Sequence, residues 1–238
     1  MDVYHFAKNK PRLDLAIEKQ NHFDILEEEF WHFLTQVHDY TELPTAILFN
    51  LYTVARYIAE NKIEGDFVEC GVLVGGSIMM VEHVLKRYDT SSSRRVFALD
   101  TFRGFVRRDQ DLDISIRDGR AVCHPSSTLL DYSDAAITNM KSVGYERLVV
   151  LQGDVLETIP TLDVQKIALL RLDTDTYDTT KFELETLYDR VVPGGVIIVD
   201  DYGYTLGCKK AVDDFISNRA VLLQRLNPNV RTWVKTTL

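Results

Sequence analysis

Two stretches of sequence decide the fold: Lys166-Ile-Ala-Leu-Leu-Arg-Leu-Asp-Thr-Asp175 and Gly195-Val-Ile-Ile-Val-Asp-Asp201. Each is a run of branched apolar residues that ends in acidic residues, which is typical of a parallel strand buried on both faces. The ends of neighbouring strands lie about 5 Å apart, so the two acidic clusters are expected to meet. They would meet at the edge of the sheet where open α/β folds bind ligands.

The acidic residues are Asp173, Asp175, Asp200 and Asp201. Anions this close repel one another, and we therefore expect a cation among them. A site made only of carboxylate oxygens favours Mg²⁺ or another hard divalent ion. The alternative is that these residues are solvated acids at the ends of strands.

The composition is that of an ordinary globular protein, with 238 residues, 45% hydrophobic and 26% charged. This length fits one large α/β domain with an extension. The net charge of -9 argues against nucleic acid or an anionic membrane as a partner and fits a neutral or cationic small molecule. A homo-oligomer is expected.

The three cysteines Cys70, Cys123 and Cys208 have no CxxC spacing. This pattern indicates structural thiols in a reducing cytoplasm. Neither a signal sequence nor a long apolar run is found, so we expect a cytoplasmic protein.

The order of predicted elements divides the chain into an extension and an α/β domain. Residues 1–62 form a helical N-terminal extension or cap, and residues 63–238 alternate between strands and helices. The apolar residues at helical spacing in the extension are Phe23, Leu26, Phe30, Phe33, Leu34 and Val37. The predicted strands are 66–70, 95–100, 147–152, 166–173 and 196–200, and the predicted helices are 77–88, 132–143, 179–191 and 208–218.

Two further segments complete the predicted fold. Asn227-Pro228-Asn229 is a turn signal between 221–226 and 230–235, which indicates a terminal antiparallel hairpin. Residues 105–131 are rich in charged residues, Gly and Ser, show no period, and are long for a connection, as is typical of a lid. His124 in this lid is the one histidine that could act in catalysis, although histidines in surface loops are more often without such a role.

A glycine-rich turn follows the first predicted strand, in Glu69-Cys-Gly-Val-Leu-Val-Gly-Gly-Ser77. Gly71, Gly75 and Gly76 allow a tight turn and close approach of a ligand to the start of the next helix, which begins near Ser77. The spacing differs from that of the dinucleotide fingerprint, and the alternative is a simple turn.

Two acids follow the next two strands. Asp100 ends the second strand, where an acid commonly accepts hydrogen bonds from ribose hydroxyls, and a turn cap is its alternative role. With the glycine turn, it indicates a cofactor that contains a nucleoside. Asp154 follows the third strand at the level of an adenine edge, or else caps the next turn.

The chain resembles the macrocin O-methyltransferase family from about Tyr40 to Lys235. The motifs that carry the resemblance are Gly65-Asp-Phe-Val-Glu-Cys-Gly-Val72 with Gly75-Gly76-Ser77, Asp100-Thr-Phe-Arg-Gly104, Leu170-Arg-Leu-Asp-Thr-Asp-Thr-Tyr177, Val199-Asp-Asp-Tyr-Gly203 and Cys208-Lys-Lys-Ala-Val-Asp-Asp214. Members methylate sugar hydroxyls in macrolide and aminocoumarin biosynthesis with S-adenosylmethionine and Mg²⁺. This chain departs from the family's pattern at Thr174, where glycine is expected, and the lid matches only loosely.

The resemblance implies a Rossmann-like class I methyltransferase domain with a seven-stranded, mostly parallel sheet. It places the metal on Asp173, Asp200 and Asp201 and the general base at Asp175. It places the cofactor at residues 69–77 and Asp100.

We therefore expect an enzyme, an O-methyltransferase that depends on S-adenosylmethionine and a divalent metal and acts on a vicinal diol of a sugar-containing acceptor or polyol. One rival is a glycosyltransferase that uses Asp173-Thr-Asp175 as a metal-binding DxD motif, but it leaves Asp200, Asp201 and the glycine turn without a role. The other rival is a non-catalytic binding protein with a methyltransferase fold, against which the intact acids argue.

Overall fold

The computed structural model describes residues 12–90, 93–106, 112–122 and 131–236. Within these ranges the strands are β1 (Asp66–Cys70), β2 (Val96–Asp100), β3 (Leu148–Gln152), β4 (Ile167–Leu172), β5 (Val191–Val199), β6 (Gln224–Arg225) and β7 (Arg231–Val234). They form one seven-stranded sheet in the order β3-β2-β1-β4-β5-β7-β6. Strands β1 to β5 are parallel, and β7 is antiparallel to both of its neighbours. The predicted fold class is confirmed.

The α-helices in these ranges are α1 (Leu15–Asn21), α2 (Glu28–Val37), α3 (Thr45–Glu60), α4 (Gly76–Tyr88), α5 (Ser133–Ser142), α6 (Val155–Thr158), α7 (Tyr177–Leu187) and α8 (Leu206–Ile216). Short 3₁₀ turns lie at His38–Tyr40, Ile159–Thr161 and Tyr188–Arg190. None of the helices in the described ranges has both the length and the apolar character needed to cross a bilayer.

The sheet is covered on both faces because its strands alternate apolar side chains between the two sides. Phe67 and Leu169 belong to the core cluster that contains the buried residues of α2, α3 and α4. Val68 and Leu170 belong to the cluster that contains those of α7 and α8. The N-terminal helices therefore share a core with the sheet. The division of the chain at residue 62 stays a prediction.

The register of the central strands aligns their carboxyl ends. Cys70 pairs with Leu99 of β2 and with Leu172 of β4, and Leu172 pairs with Val199 of β5. The residues that follow these strands therefore leave the sheet at the same level. This alignment brings together the glycine turn and both acidic clusters.

Two details of the predicted elements were wrong. Phe23 and Leu26 are each 81% exposed, because α2 begins only at Glu28 and the residues before it do not continue its buried face. Val191 was assigned to the end of a helix but begins β5, where it pairs with Ile167.

The terminal hairpin is confirmed, with a first strand of only two residues. Part of the predicted lid is also described. Ser115 forms a β-bridge with Thr205, and the Ile116 amide donates to the Tyr204 carbonyl oxygen at 2.9 Å. Residues 112–122 thus cross the loop that follows Asp201. Cys123 and His124 lie outside the described residues.

Candidate functional site

A cavity of about 630 Å³ opens at the carboxyl edge of the sheet. One side is formed by residues 71–74, 100–101 and 153–155, in the loops after β1, β2 and β3. The other side is formed by residues 173–176 and 200–201, after β4 and β5. The predicted cofactor region and the predicted acidic site therefore line one continuous space.

The acidic cluster contains Asp173, Asp200 and Asp201. One carboxylate oxygen from each lies within 4.8 Å of the others. The strand ladder explains this arrangement, because the Asp200 amide donates to the carbonyl oxygen of Leu172 at 2.9 Å and holds the two loops side by side. The sequence prediction that the two clusters converge is thereby confirmed. The assignment of these residues as metal ligands stays a prediction.

A buried cation, Arg171, lies beneath this cluster. Its guanidinium group is 2.6 Å from Glu69, 2.8 Å from Asp173 and 3.3 Å from Asp200. Burial alone would lower the pKa of Arg171, but the charges of Asp173, Glu69 and Asp200 raise it well above its usual value. One permanent positive charge is thus shared among acids from three strands.

Arg171 does not neutralise the whole cluster. Burial, followed by the charge of Asp173, raises the pKa of Asp200 to about 7. Burial, followed by the charge of Asp175, raises the pKa of Asp201 well above its usual value. Oδ1 of Asp200 and Oδ2 of Asp201 are buried and have no hydrogen-bond partner among the described residues. Buried oxygens without a partner are costly, and here they fit a bound cation.

Asp175 belongs to the same cluster in an unusual backbone conformation. Its φ of 63° lies in the left-handed region, which costs an ordinary residue about 1–2 kcal/mol and which Asp tolerates better than most. Its side chain is hydrogen-bonded to that of Asp201, and burial raises its pKa to about 8. Its carbonyl oxygen accepts a hydrogen bond from the Thr205 hydroxyl at 2.5 Å. The loop therefore holds this carboxyl against the acidic cluster.

The glycines after β1 are required by packing within the chain. A Cβ atom at Gly71, where φ is 82°, would lie 1.9 Å from the Asp173 carbonyl oxygen. At Gly76 it would lie 2.5 Å from the Tyr40 carbonyl oxygen. Gly75 precedes α4 with a φ of 95°. These residues let β1, β4 and the N-terminal region approach closely beside the cavity.

Glu69 and Ser77 connect the glycine turn to the buried arginine. The Ser77 hydroxyl donates to Glu69 at 2.5 Å, and the same carboxylate oxygen accepts from Arg171. Ser77 lines the cavity, whereas Glu69, Gly75 and Gly76 are not among the described residues that line it. Their assignment to cofactor binding stays a prediction, and their visible role is to shape the wall.

Asp100 holds the turns on both sides of the cofactor region. One of its oxygens accepts from the amides of Val72 and Leu73 at 2.8 and 2.9 Å, and the other accepts from Phe102 at 2.8 Å. Leu73 and Phe102 have φ values of 51° and 52°, so the carboxylate stabilises two strained residues. Asp154 caps α6 by accepting from the Leu156 amide at 3.0 Å. Both acids also line the cavity.

Sequence reasoning gave no role to Arg171, Glu183 or Asp113. Arg171 had a visible signal, because it is the one charged residue in the apolar run from Ile167 to Leu172. Glu183 is fully buried in α7 beneath Thr174, and Asp113 is buried beside the first amide of that helix, at 3.4 Å. Asp113 contacts a residue 64 positions away, which leaves no local pattern, and nothing in the sequence near Glu183 showed that it would face Thr174.

Comparisons with known proteins agree on one family. The family model for Macrocin-O-methyltransferase (TylF) matches residues 36–227. The chain is 32% identical over 169 residues to demethyldecarbamoylnovobiocin O-methyltransferase of Streptomyces niveus. The aligned region covers 70% of this chain and 63% of that protein. It is 30% identical over 172 residues to mycinamicin III 3''-O-methyltransferase of Micromonospora griseorubida, which covers 70% and 66%. The chain thus spans slightly less than two thirds of these relatives.

Solved structures show the same architecture. The O-methyltransferase NovP superposes with a TM-score of 0.73 at 29% identity, over 83% of each chain. The calicheamicin methyltransferase CalS11 superposes with a TM-score of 0.64 over 98% of this chain and 89% of the other, and at 19% identity it shows the fold alone.

The packing at Gly71 leads to a prediction about stability. Gly71→Ala should lower the free energy of unfolding by about 3 kcal/mol or more, because a left-handed alanine is strained and its Cβ would displace the Asp173 carbonyl. For a chain of this size that is a fall in melting temperature of about 6–12 °C. Gly119→Ala is the matched control, since φ is 68° there and a Cβ atom would meet nothing within 4 Å. Equal losses in the two variants would contradict this account of Gly71.

Proposed function

The chain belongs to the macrocin O-methyltransferase family, and from this premise we propose that it transfers a methyl group from S-adenosylmethionine to a hydroxyl of a sugar-containing small molecule. The observation that carries the proposal is the meeting of the acidic cluster and the glycine turn in one cavity. The names of the relatives support the acceptor class, since one is named for demethyldecarbamoylnovobiocin and another for a rhamnosyl tetracenomycin.

S-adenosylmethionine would occupy the side of the cavity formed by the loops after β1, β2 and β3, where its sulfonium group would supply an activated methyl group. The cavity volume suits a ligand of this size. Oδ2 of Asp100 accepts from two amides, and Oδ1 accepts from only one. Oδ1 therefore keeps a lone pair for a ribose hydroxyl. Asp154 lies on the same wall and would approach the base.

Asp173, Asp200 and Asp201 would hold a divalent metal ion, for which Mg²⁺ is our candidate. The two buried oxygens that lack partners support this assignment, as does the hard, all-oxygen character of the donors. Such an ion would supply positive charge beside the acceptor hydroxyl and so favour its deprotonation. Arg171 would keep two of the carboxylates in place without filling the site, because it approaches them from beneath.

Asp175 would accept the proton from the acceptor hydroxyl. It lies one residue beyond Thr174 in the loop after β4, and its carboxyl contacts Asp201 within the cluster. The left-handed turn holds it at the cavity wall. The chain would therefore provide a base and three metal ligands on two adjacent loops, and positioning of the two substrates would supply much of the acceleration.

The acceptor would lie on the side of the acidic cluster away from the glycine turn. β7 begins beside the end of β5, so the hairpin turn meets the loop after Asp201, where the Gly203 amide donates to the Asn229 carbonyl oxygen at 2.9 Å. Asn227, Asn229 and Tyr204 line the cavity there and supply polar groups that suit sugar hydroxyls. We propose that the N-terminal extension, through residues 40–44, and the described lid residues Phe105, Val106 and Val122 close the remaining sides.

The first test of this function uses methyl-labelled S-adenosylmethionine with demethyldecarbamoylnovobiocin and mycinamicin III as acceptors. We expect transfer to at least one acceptor with Mg²⁺, loss of transfer in excess EDTA, and recovery when Mg²⁺ is restored. Asp200→Ala should be inactive while its circular dichroism spectrum shows an intact fold. Asp163→Ala, whose side chain is 85% exposed, should be active. Full activity in EDTA would overturn the metal assignment, and transfer to neither acceptor would overturn the acceptor class.

The second test concerns the proton acceptor. Asp175→Asn preserves size but removes the basic oxygen, so kcat should fall by about 10²–10⁴, the usual contribution of a general base. Affinities for Mn²⁺ and S-adenosylhomocysteine, measured by titration calorimetry, should change by less than about threefold. A variant with the kcat of the wild type would require another base, and His124 would be tested next.

The third test concerns the acceptor hydroxyls. Three carboxylates leave about three positions of an octahedral Mg²⁺ shell, which suit two adjacent hydroxyls of one sugar ring. We therefore propose a vicinal diol as the natural acceptor. An acceptor deoxygenated beside the methylated position should show a lower kcat and not only a higher KM, because the second oxygen helps to orient the first. Equal kcat for the matched pair would exclude chelation by the diol.

A further inference from the structure

Glu183 is a buried carboxyl group that the proposed reaction does not use. It lies in the middle of α7 and is 0% exposed. Burial raises its pKa to about 8, and its side chain is hydrogen-bonded to Thr174 and to the thiol of Cys70. Burying a carboxyl group costs free energy. A role for Glu183 in the neighbouring acidic cluster would explain why it is kept in the core.

The contact with Thr174 lies between the two functional acids of the loop. The Thr174 hydroxyl is 3.0 and 3.1 Å from the two carboxyl oxygens of Glu183 and 2.8 Å from the Thr179 hydroxyl. Thr174 is flanked by the proposed metal ligand Asp173 and the proposed base Asp175. Its side chain therefore connects the loop to the rigid core of the domain.

The Thr205 hydroxyl fixes the loop at the Asp175 carbonyl oxygen, and the Thr174 side chain fixes it from the other side, against α7. The Thr176 amide donates to the Thr174 carbonyl oxygen at 2.7 Å, which closes a tight turn around Asp175. Asp175 has a positive φ, which is strained for a residue with a side chain. A glycine at position 174 would offer no side-chain hydrogen bond. Here the threonine hydroxyl ties the turn to α7.

We propose that Glu183 is a positioning residue that acts through the Thr174 hydroxyl to fix Asp173 relative to Asp175, and that this pair sets the affinity of the acidic cluster for a divalent cation. The proposal rests on the metal site of the proposed function. The position of a carboxylate ligand decides how well it meets the near-ideal geometry that a hard cation requires. Loss of the hydroxyl should therefore weaken metal binding and leave the cofactor side of the cavity unchanged.

The experiment compares Thr174→Val, which has nearly the same shape but no hydroxyl, with Thr174→Ser, which keeps the hydroxyl. Each protein is titrated with Mn²⁺ by calorimetry and, separately in EDTA, with S-adenosylhomocysteine. Thr174→Val should bind Mn²⁺ about tenfold more weakly, the scale of one hydrogen bond. Thr174→Ser should remain within twofold of the wild type. Glu183→Gln keeps an oxygen that accepts from Thr174 and should remain within about threefold, whereas Glu183→Met removes both acceptor oxygens and should weaken Mn²⁺ binding about as much as Thr174→Val. Wild-type affinity in Glu183→Met would overturn the role of Glu183.

The outcomes separate this proposal from the proposed function. If the wild type binds no Mn²⁺, the metal site is wrong and this proposal falls with it. If the wild type binds Mn²⁺ and Thr174→Val binds it equally well, the metal site stands and the positioning role is overturned. If Thr174→Val loses affinity for S-adenosylhomocysteine to the same extent as for Mn²⁺, the hydroxyl has only a general structural role, and the proposal is again overturned.

Discussion

The ion-pair network around Arg171 is the constraint on which the site depends. Arg171 is only 2% exposed. Its guanidinium group contacts Glu69 in β1, Asp173 after β4 and Asp200 after β5. Removing a carboxylate from water costs several kcal/mol, and several together would be prohibitive without a cation between them. The arginine lets three strand ends converge. Because Arg171 carries a single positive charge, it neutralises only part of the negative charge of these carboxylates. The cluster is therefore suited to a second cation.

The sheet supplies the geometry that this charge balance requires. The level ends of β1, β4 and β5 place the glycine turn and the acids in one row, and antiparallel β7 brings the hairpin turn to the same edge. The row runs from Gly71 through Asp173 and Asp200 to Asn229, and the cavity follows it. The proposed methyl donor and acceptor would meet above the acids, where the acceptor oxygen could approach the methyl group from the side opposite the sulfur.

The sequence was sufficient to predict the features that repeat along the chain. Strand and helix periods predicted the alternating strands and helices, and the acids after two apolar runs predicted the cluster, because both follow from local pattern and the geometry of parallel strands. The seven-stranded sheet was implied by the family resemblance. Helical spacing grouped Phe23 with Phe30, and this was wrong, since spacing alone does not show where a helix begins. Glu183 and Asp113 could not be found at all. Their contacts include residues far along the chain, and only the folded chain shows which groups a buried carboxyl meets.

Many residues of the site support the fold as well as the proposed chemistry. Asp100 stabilises two strained turns and also lines the cavity. Glu69 joins the glycine turn to Arg171 but is not among the described residues that line the cavity. Deleting such a side chain removes a structural contact and a ligand contact together, so a loss of activity alone does not assign its role. Thr174 differs, because its hydroxyl is one small group on a loop and can be removed without leaving a large cavity. In this fold, changes of single atoms at nearly constant shape therefore distinguish chemistry from architecture.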